Sequence, residues 1–135
     1  MLQSNKIEDI KVVSEVDIVT VRRNIRNHAA KAGLRLVDQT KLITAASELV
    51  RNMFIYAKGG VVTIEKVQHD KNTGIRLTFN DEGPGIDNIE QAMQDGFTSG
   101  NSMGMGLPGA KRLVNDFEIT SQIGQGTKVV VTRWK

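Results

Sequence analysis

The chain has 135 residues, no cysteine, 39% hydrophobic and 24% charged residues, and a net charge of +3. That composition excludes a disordered chain and a disulfide scaffold, no apolar run approaches the ~18 residues that span a bilayer, and the length suits one domain. Scattered Lys and Arg with only 4% aromatics argue against a nucleic-acid surface, and the opening MLQSNKIEDIKVV lacks a signal peptide, so the cytoplasm is the expected compartment.

KVVSEV reads as a short strand running into Ser14 and Asp17, a helix start for DIVTVRRNIRNHAAKAG, where Ile18, Val21, Ile25 and Ala29 recur at helical spacing. Gly33 ends that helix. From Val37 to Ala57 the positions Leu42, Ala46, Leu49, Val50 and Met53 again share one face, predicting a longer helix stopped by KGG. VVTIEKV and IRLTFND are partly alternating, β-branched runs around QHDKNTG, which reads as a hairpin. A short helix is expected over NIEQAMQDG, and Pro108 suits the first position of a helix PGAKRLVNDF. FEITSQI and TKVVVTRW form a second hairpin through GQG. Hairpins with separate helices predict an α+β two-layer sandwich, a mixed but mostly antiparallel sheet covered on one face by helices.

TSGNSMGMGLPGAKRLV carries Gly104, Gly106 and Gly109 in the spacing G-x-G-x-x-G. A dinucleotide turn needs a strand immediately before the first glycine and an acidic residue ending the next strand, whereas here a polar loop precedes the glycines and Glu118 opens a strand. No Gly-Lys-Ser/Thr follows, so a P-loop is excluded too.

Three other signals bear on chemistry. Glu48 and Asn52 in ELVRN stand side by side on the second helix, about 40° apart and off its apolar face. An amide oxygen is a hard ligand suited to Mg²⁺, and a carboxylate beside it suits a general base; read alone, the pair is more simply a solvated Glu and a surface Asn. In FNDEGPGID, Asp81 ends a strand before a turn of Gly83, Pro84 and Gly85. A carboxylate there can accept from the exocyclic amino group of adenine, although the segment alone is an ordinary turn. GQGT likewise reads alone as a hairpin turn.

Taken in order, Glu48-x-x-x-Asn52, Asp81-x-Gly83-x-Gly85, Gly104-x-Gly106 and Gly124-x-Gly126-Thr127 resemble the N, G1, G2 and G3 boxes of the GHKL (Bergerat-fold) ATPases, a superfamily that includes gyrase, Hsp90, histidine kinases and MutL. SELVRN, DEGPGI, DGFTSG and GMGLPGAKRLV are similar to the small serine/threonine switch kinases of bacterial partner-switching, or stressosome, systems. Many superfamily members carry His-Ala after the N-box Asn, and this chain has Tyr56-Ala57, as the switch-kinase branch would.

The resemblance implies one ATP-binding kinase domain over residues 1–135, with ATP and Mg²⁺ as cofactors. It makes Asn52 the Mg²⁺ ligand, Glu48 the catalytic base, and Asp81 the adenine anchor assisted by Thr127. Gly83, Gly85 and Ile86 become the G1 loop, and Gly104, Met105, Gly106 and Leu107 part of the ATP lid; Lys111, on the helix that follows, is a candidate cation near the γ-phosphate and more simply a solvated helix-surface residue. Arg112 and Arg51 are ordinary surface cations as well as candidates for contacts. The implied substrates are STAS-domain antagonists, phosphorylated on Ser or Thr, after which the kinase is released to a phosphatase or other output protein. The alternative is an anti-sigma factor that sequesters a sigma factor in an ATP-dependent way. No room remains for the further domains of gyrase, Hsp90 or MutL, and His28 and His69 lie on no helix pair that would present a phosphoacceptor.

Overall fold

The computed structural model describes residues 2–86, 88–94 and 106–135. Strand β1 (Leu2–Val12) leads into α1 (Glu15–Lys31), α2 (Leu36–Ala57) and the hairpin β2 (Gly60–His69) and β3 (Asn72–Asn80). Two short helices, α3 (Ile89–Ala92) and α4 (Gly106–Arg112), precede the hairpin β4 (Asp116–Gln122) and β5 (Gly126–Trp134).

The five strands lie in the order β1-β2-β3-β5-β4, and all four neighbouring pairs are antiparallel. The expected mixed sheet is therefore corrected. The connection through α3 and α4 does bring β4 back parallel to β3, but β5 inserts between them and no parallel ladder forms.

The alternation of each strand fixes which face is covered. Ile64 on β2, Ile75 and Leu77 on β3, and Val131 on β5 are fully buried beneath Val21 and Ile25 of α1 and Leu42, Ala46 and Val50 of α2. Each large side chain of that set contributes roughly 1.5–3 kcal/mol by leaving water. Helix α1 starts as expected at Ser14: the Asp17 carboxylate accepts the N–H groups of Val13 and Ser14 at 2.8 and 3.0 Å, holding that carboxyl below its ordinary value. At the end of α2, Lys58 and Gly59 adopt φ of 62° and 132° and return their N–H groups to Phe54 and Met53. A β-carbon on Gly59 would run into the Val12 carbonyl, so the stop signal is also a packing requirement.

Three elements differ from the sequence reading. Helix α3 ends at Ala92, short of the helix expected over NIEQAMQDG, whose last two residues lie outside those described. β1 runs back to Leu2 because it pairs with β2 along its whole length, apart from a bulge between Lys6 and Glu8. It is an edge strand, exposed along most of its length, so it carries little hydrophobic alternation to read and includes the lysines typical of protected edges. Helix α4 is described from Gly106, which makes Pro108 its third residue and not its first. The missing N–H still falls within the first turn, where no intrahelical acceptor is lost. Among the described residues no helix is long and apolar enough to cross a membrane.

Candidate functional site

A cavity of about 300 Å³ opens between the C-terminal half of α2, the ends of β3 and β5, the turn after β3, and α4. Its size is at the small end of ligand pockets. Leu49 and Met53 of α2, Phe79 of β3, Leu107 of α4 and Val129 of β5 give it an apolar floor. Asn52, Asp81 and Thr127 supply polar groups to its wall.

Asp81 and Thr127 are 46 positions apart and meet because β3 and β5 pair with Asn80 opposite Lys128. Asp81 N–H donates to the Thr127 carbonyl at 3.0 Å, and Thr127 N–H donates to Asp81 Oδ1 at 3.1 Å. Gly83 N–H donates to the same Oδ1 at 2.9 Å, which curls the turn around the carboxylate. No described residue donates to Oδ2. The glycines here are dictated by contact: a β-carbon on Gly126 would strike the Asp81 carbonyl, and one on Gly85, at φ 82°, the Gln122 carbonyl. Gly83 presses on Ala57 at the end of α2, which seats the turn against the helix.

At the other end of the cavity, Asn52 faces α4. A β-carbon on Gly106 would come 2.9 Å from Asn52 Nδ2 and 3.1 Å from Oδ1. Residues 106–110 of α4 are all buried, so the helix is held tightly against α2.

The structure thus places Asn52, Asp81, Gly85, Ile86, Gly106, Leu107 and Thr127 around one cavity. Gly83 shapes it from behind. Glu48 stands one turn before Asn52, outside the cavity wall, 23% exposed and paired with Arg51 at 3.1 Å. Lys111 is exposed on α4 and does not line the cavity. Gly104 and Met105 lie outside the described residues. His28 is engaged elsewhere, bonded through Nε2 to Glu8 at 2.9 Å beneath α1, and His69 is exposed beside Asp70.

Two groups were missed by the sequence reading. Ser121 on β4 bonds Ile86 N–H, the Gly126 carbonyl and Thr127 Oγ1, tying the glycine turn to the second hairpin. No local sequence pattern marks it, because its partners come from the turn after β3 and from β5. Asp38, only 2% exposed, accepts from Arg133 Nη2 and Nε at 2.7 and 3.1 Å and from Arg35 at 3.3 Å. Arg133 also reaches the Leu113 carbonyl just past α4. Hydrogen bonds from Arg133 hold the Asp38 carboxyl below the usual carboxylate range.

Residues 37–135 match the family of histidine kinase-, DNA gyrase B-, and HSP90-like ATPases. The serine/threonine-protein kinase RsbT of Bacillus subtilis is 40% identical over 125 residues, covering 93% of this chain and 94% of that one. An anti-sigma F factor of Clostridium acetobutylicum is 37% identical over 106 residues, covering 74% and 71%. Among solved structures, the RsbU and RsbW domains of a Mycobacterium tuberculosis protein share the fold at a TM-score of 0.62 and 22% identity, over 98% of this chain and 33% of that one. The mycobacterial sensor histidine kinase MprB does so at 0.58 and 16%, over 94% and 96%. The chain belongs to the GHKL ATPase family of histidine kinases, gyrase B and HSP90 and, within it, to the RsbT-type serine/threonine kinases.

Proposed function

We propose that residues 1–135 act as one Mg²⁺-dependent protein serine/threonine kinase in the cytoplasm, within a bacterial partner-switching stress system. The observation that carries this reading is the convergence of Asn52, Asp81 and Thr127 on a single cavity with an apolar floor. Asp81 Oδ2 is oriented by two bonds to its sister oxygen and receives no bond from a described residue, which suits an adenine amino group, while Leu49, Met53, Phe79 and Val129 suit the flat faces of the base.

Asn52 fits a cation site shared with phosphates. Its side-chain amide lies in the cavity wall beside Gly106, and an amide oxygen is a hard ligand of the kind Mg²⁺ takes along with phosphate and water. When bound, Mg²⁺ neutralises charge on the transferring phosphate. Glu48, one turn from Asn52, takes in this reading the proton of an incoming seryl or threonyl hydroxyl as it attacks.

By analogy with the family, the substrates are STAS-domain antagonists of a stressosome-like assembly. Phosphorylation then releases the kinase to activate a phosphatase or other output protein. Similarity to anti-sigma F factors favours a second reading, ATP-dependent sequestration of a sigma factor. Incubation with γ-labelled ATP and a co-encoded STAS-domain antagonist separates the two. Label on Ser or Thr that Glu48→Gln abolishes supports the kinase; stable capture of a sigma factor without transfer supports the alternative.

A further inference from the structure

Ser121 on β4 stands opposite Thr127 on β5, and its hydroxyl has three partners. Ile86 N–H donates to it at 2.7 Å, the Gly126 carbonyl lies at 3.1 Å, and Thr127 Oγ1 lies at 2.8 Å. A serine hydroxyl has one proton and two lone pairs. The Gly126 carbonyl can only accept, so it takes the proton. Ile86 fills one lone pair, and the other receives the hydroxyl proton of Thr127. Thr127 Oγ1 is then left with lone pairs alone for anything in the cavity it lines.

Asp81 has the same polarity. Its Oδ1 is filled by Gly83 and Thr127 N–H groups, and Oδ2 offers only lone pairs. Asp81 and Thr127 therefore both accept, and neither donates. An amino group finds acceptors there, whereas a carbonyl oxygen meets lone pairs and loses its hydrogen bonds to water.

We propose that Ser121 is a specificity-determining positioning residue: by taking the Thr127 hydroxyl proton, it makes the pocket select 6-aminopurine nucleotides over 6-oxopurine ones. The proposal rests on the nucleotide reading of the cavity. Ser121 acts through Thr127 and needs no contact with the base. Without the Ser121 hydroxyl, Thr127 is free to turn its O–H inward and donate to an oxo group.

The test is the ratio of dissociation constants for inosine triphosphate and ATP, measured by calorimetry on the full chain. Ser121→Ala is expected to lower that ratio roughly tenfold or more, about the worth of one desolvated polar mismatch. In a Thr127→Val background the same change is expected to leave the ratio unaltered, since the group through which Ser121 acts is gone. Ser121→Thr keeps the hydroxyl and the ratio. Ser121→Cys, closer in volume, serves if the alanine variant does not fold, and is also expected to lower the ratio. Equal weakening of both nucleotides, or an unchanged ratio, makes Ser121 a structural tie only and overturns the proposal. Asp81→Asn runs in parallel: if it changes neither affinity, the nucleotide reading itself fails and takes this inference with it.

Discussion

Gly106 and Asn52 meet across the α2–α4 interface so closely that a methyl group on the glycine would sit 2.9 Å from the amide nitrogen and 3.1 Å from the amide oxygen. Gly106→Ala therefore forces the Asn52 amide to swing away, while the helix gains up to about 1 kcal/mol of intrinsic propensity. The expected outcome is a melting temperature within a few degrees of wild type and Mg-ATP affinity weakened at least about tenfold. Calorimetric titration beside a thermal melt checks both. Unchanged affinity would show that the amide orientation is irrelevant to nucleotide binding.

Asp38 and Arg133 join the start of α2 to the end of β5. Arg133→Ala leaves a nearly sealed carboxylate with Arg35 alone, whose side chain is 77% exposed, and should cost about 3 kcal/mol in urea unfolding at neutral pH. The acid limb gives a second check. Hydrogen bonds from Arg133 lower the folded-state pKa of Asp38 from its ordinary 3.8, so the unfolded chain binds the proton first. The stabilisation is complete well above pH 3.8 and is lost as pH falls through 3.8 toward the lower folded value. In Arg133→Ala that part of the acid slope should flatten.

Among the described residues Glu48 pairs with a half-exposed Arg51, and such pairs contribute about 0–1 kcal/mol. Glu48→Gln should thus leave folding intact. Loss of the proposed general base predicts transfer slowed by roughly 10²–10⁴-fold with ATP affinity changed less than about threefold. Single-turnover transfer with a STAS-domain antagonist, alongside equilibrium ATP binding, separates the two effects. Equal losses in both would move Glu48 from chemistry to binding.

Gly124 and Gly126 share one hairpin turn and positive φ, at 81° and 119°, yet their surroundings differ. No described residue lies within 4 Å of a β-carbon on Gly124, so Gly124→Ala is expected to meet backbone strain of about 1 kcal/mol. Gly126→Ala drives a methyl group into the Asp81 carbonyl and should cost several times more, with loss of ATP binding. Denaturant midpoints of the two variants give the comparison, and equal costs would contradict the packing at Asp81.

What could be read from sequence follows from how local each signal is. Helices α1 and α2 were visible because Val21, Ile25, Leu42 and Val50 each mark a helical period within a few turns. The Asn52 and Asp81 motifs, each ordinary when read alone, stood out only through the order and spacing in which they resemble the boxes of the GHKL family. β1 was underestimated because its first six residues are exposed on both faces and show no period, and only Ile10 and Val12 at its end alternate into the core. Ser121 and the Asp38–Arg133 pair were invisible for another reason. Their meaning lies in partners up to 95 residues away, which the order β3-β5-β4 brings together and no local pattern encodes.

The reciprocal bonds between Asp81 and Thr127 make the cavity a product of sheet closure: neither half of its polar end exists until β5 slots between β3 and β4. Nucleotide should therefore act as a folding ligand as well as a substrate. At a hundredfold excess over its dissociation constant it would add about 2.7 kcal/mol to the stability of the whole fold. In a cell, the adenylate supply would then set the lifetime of the signalling protein together with its activity.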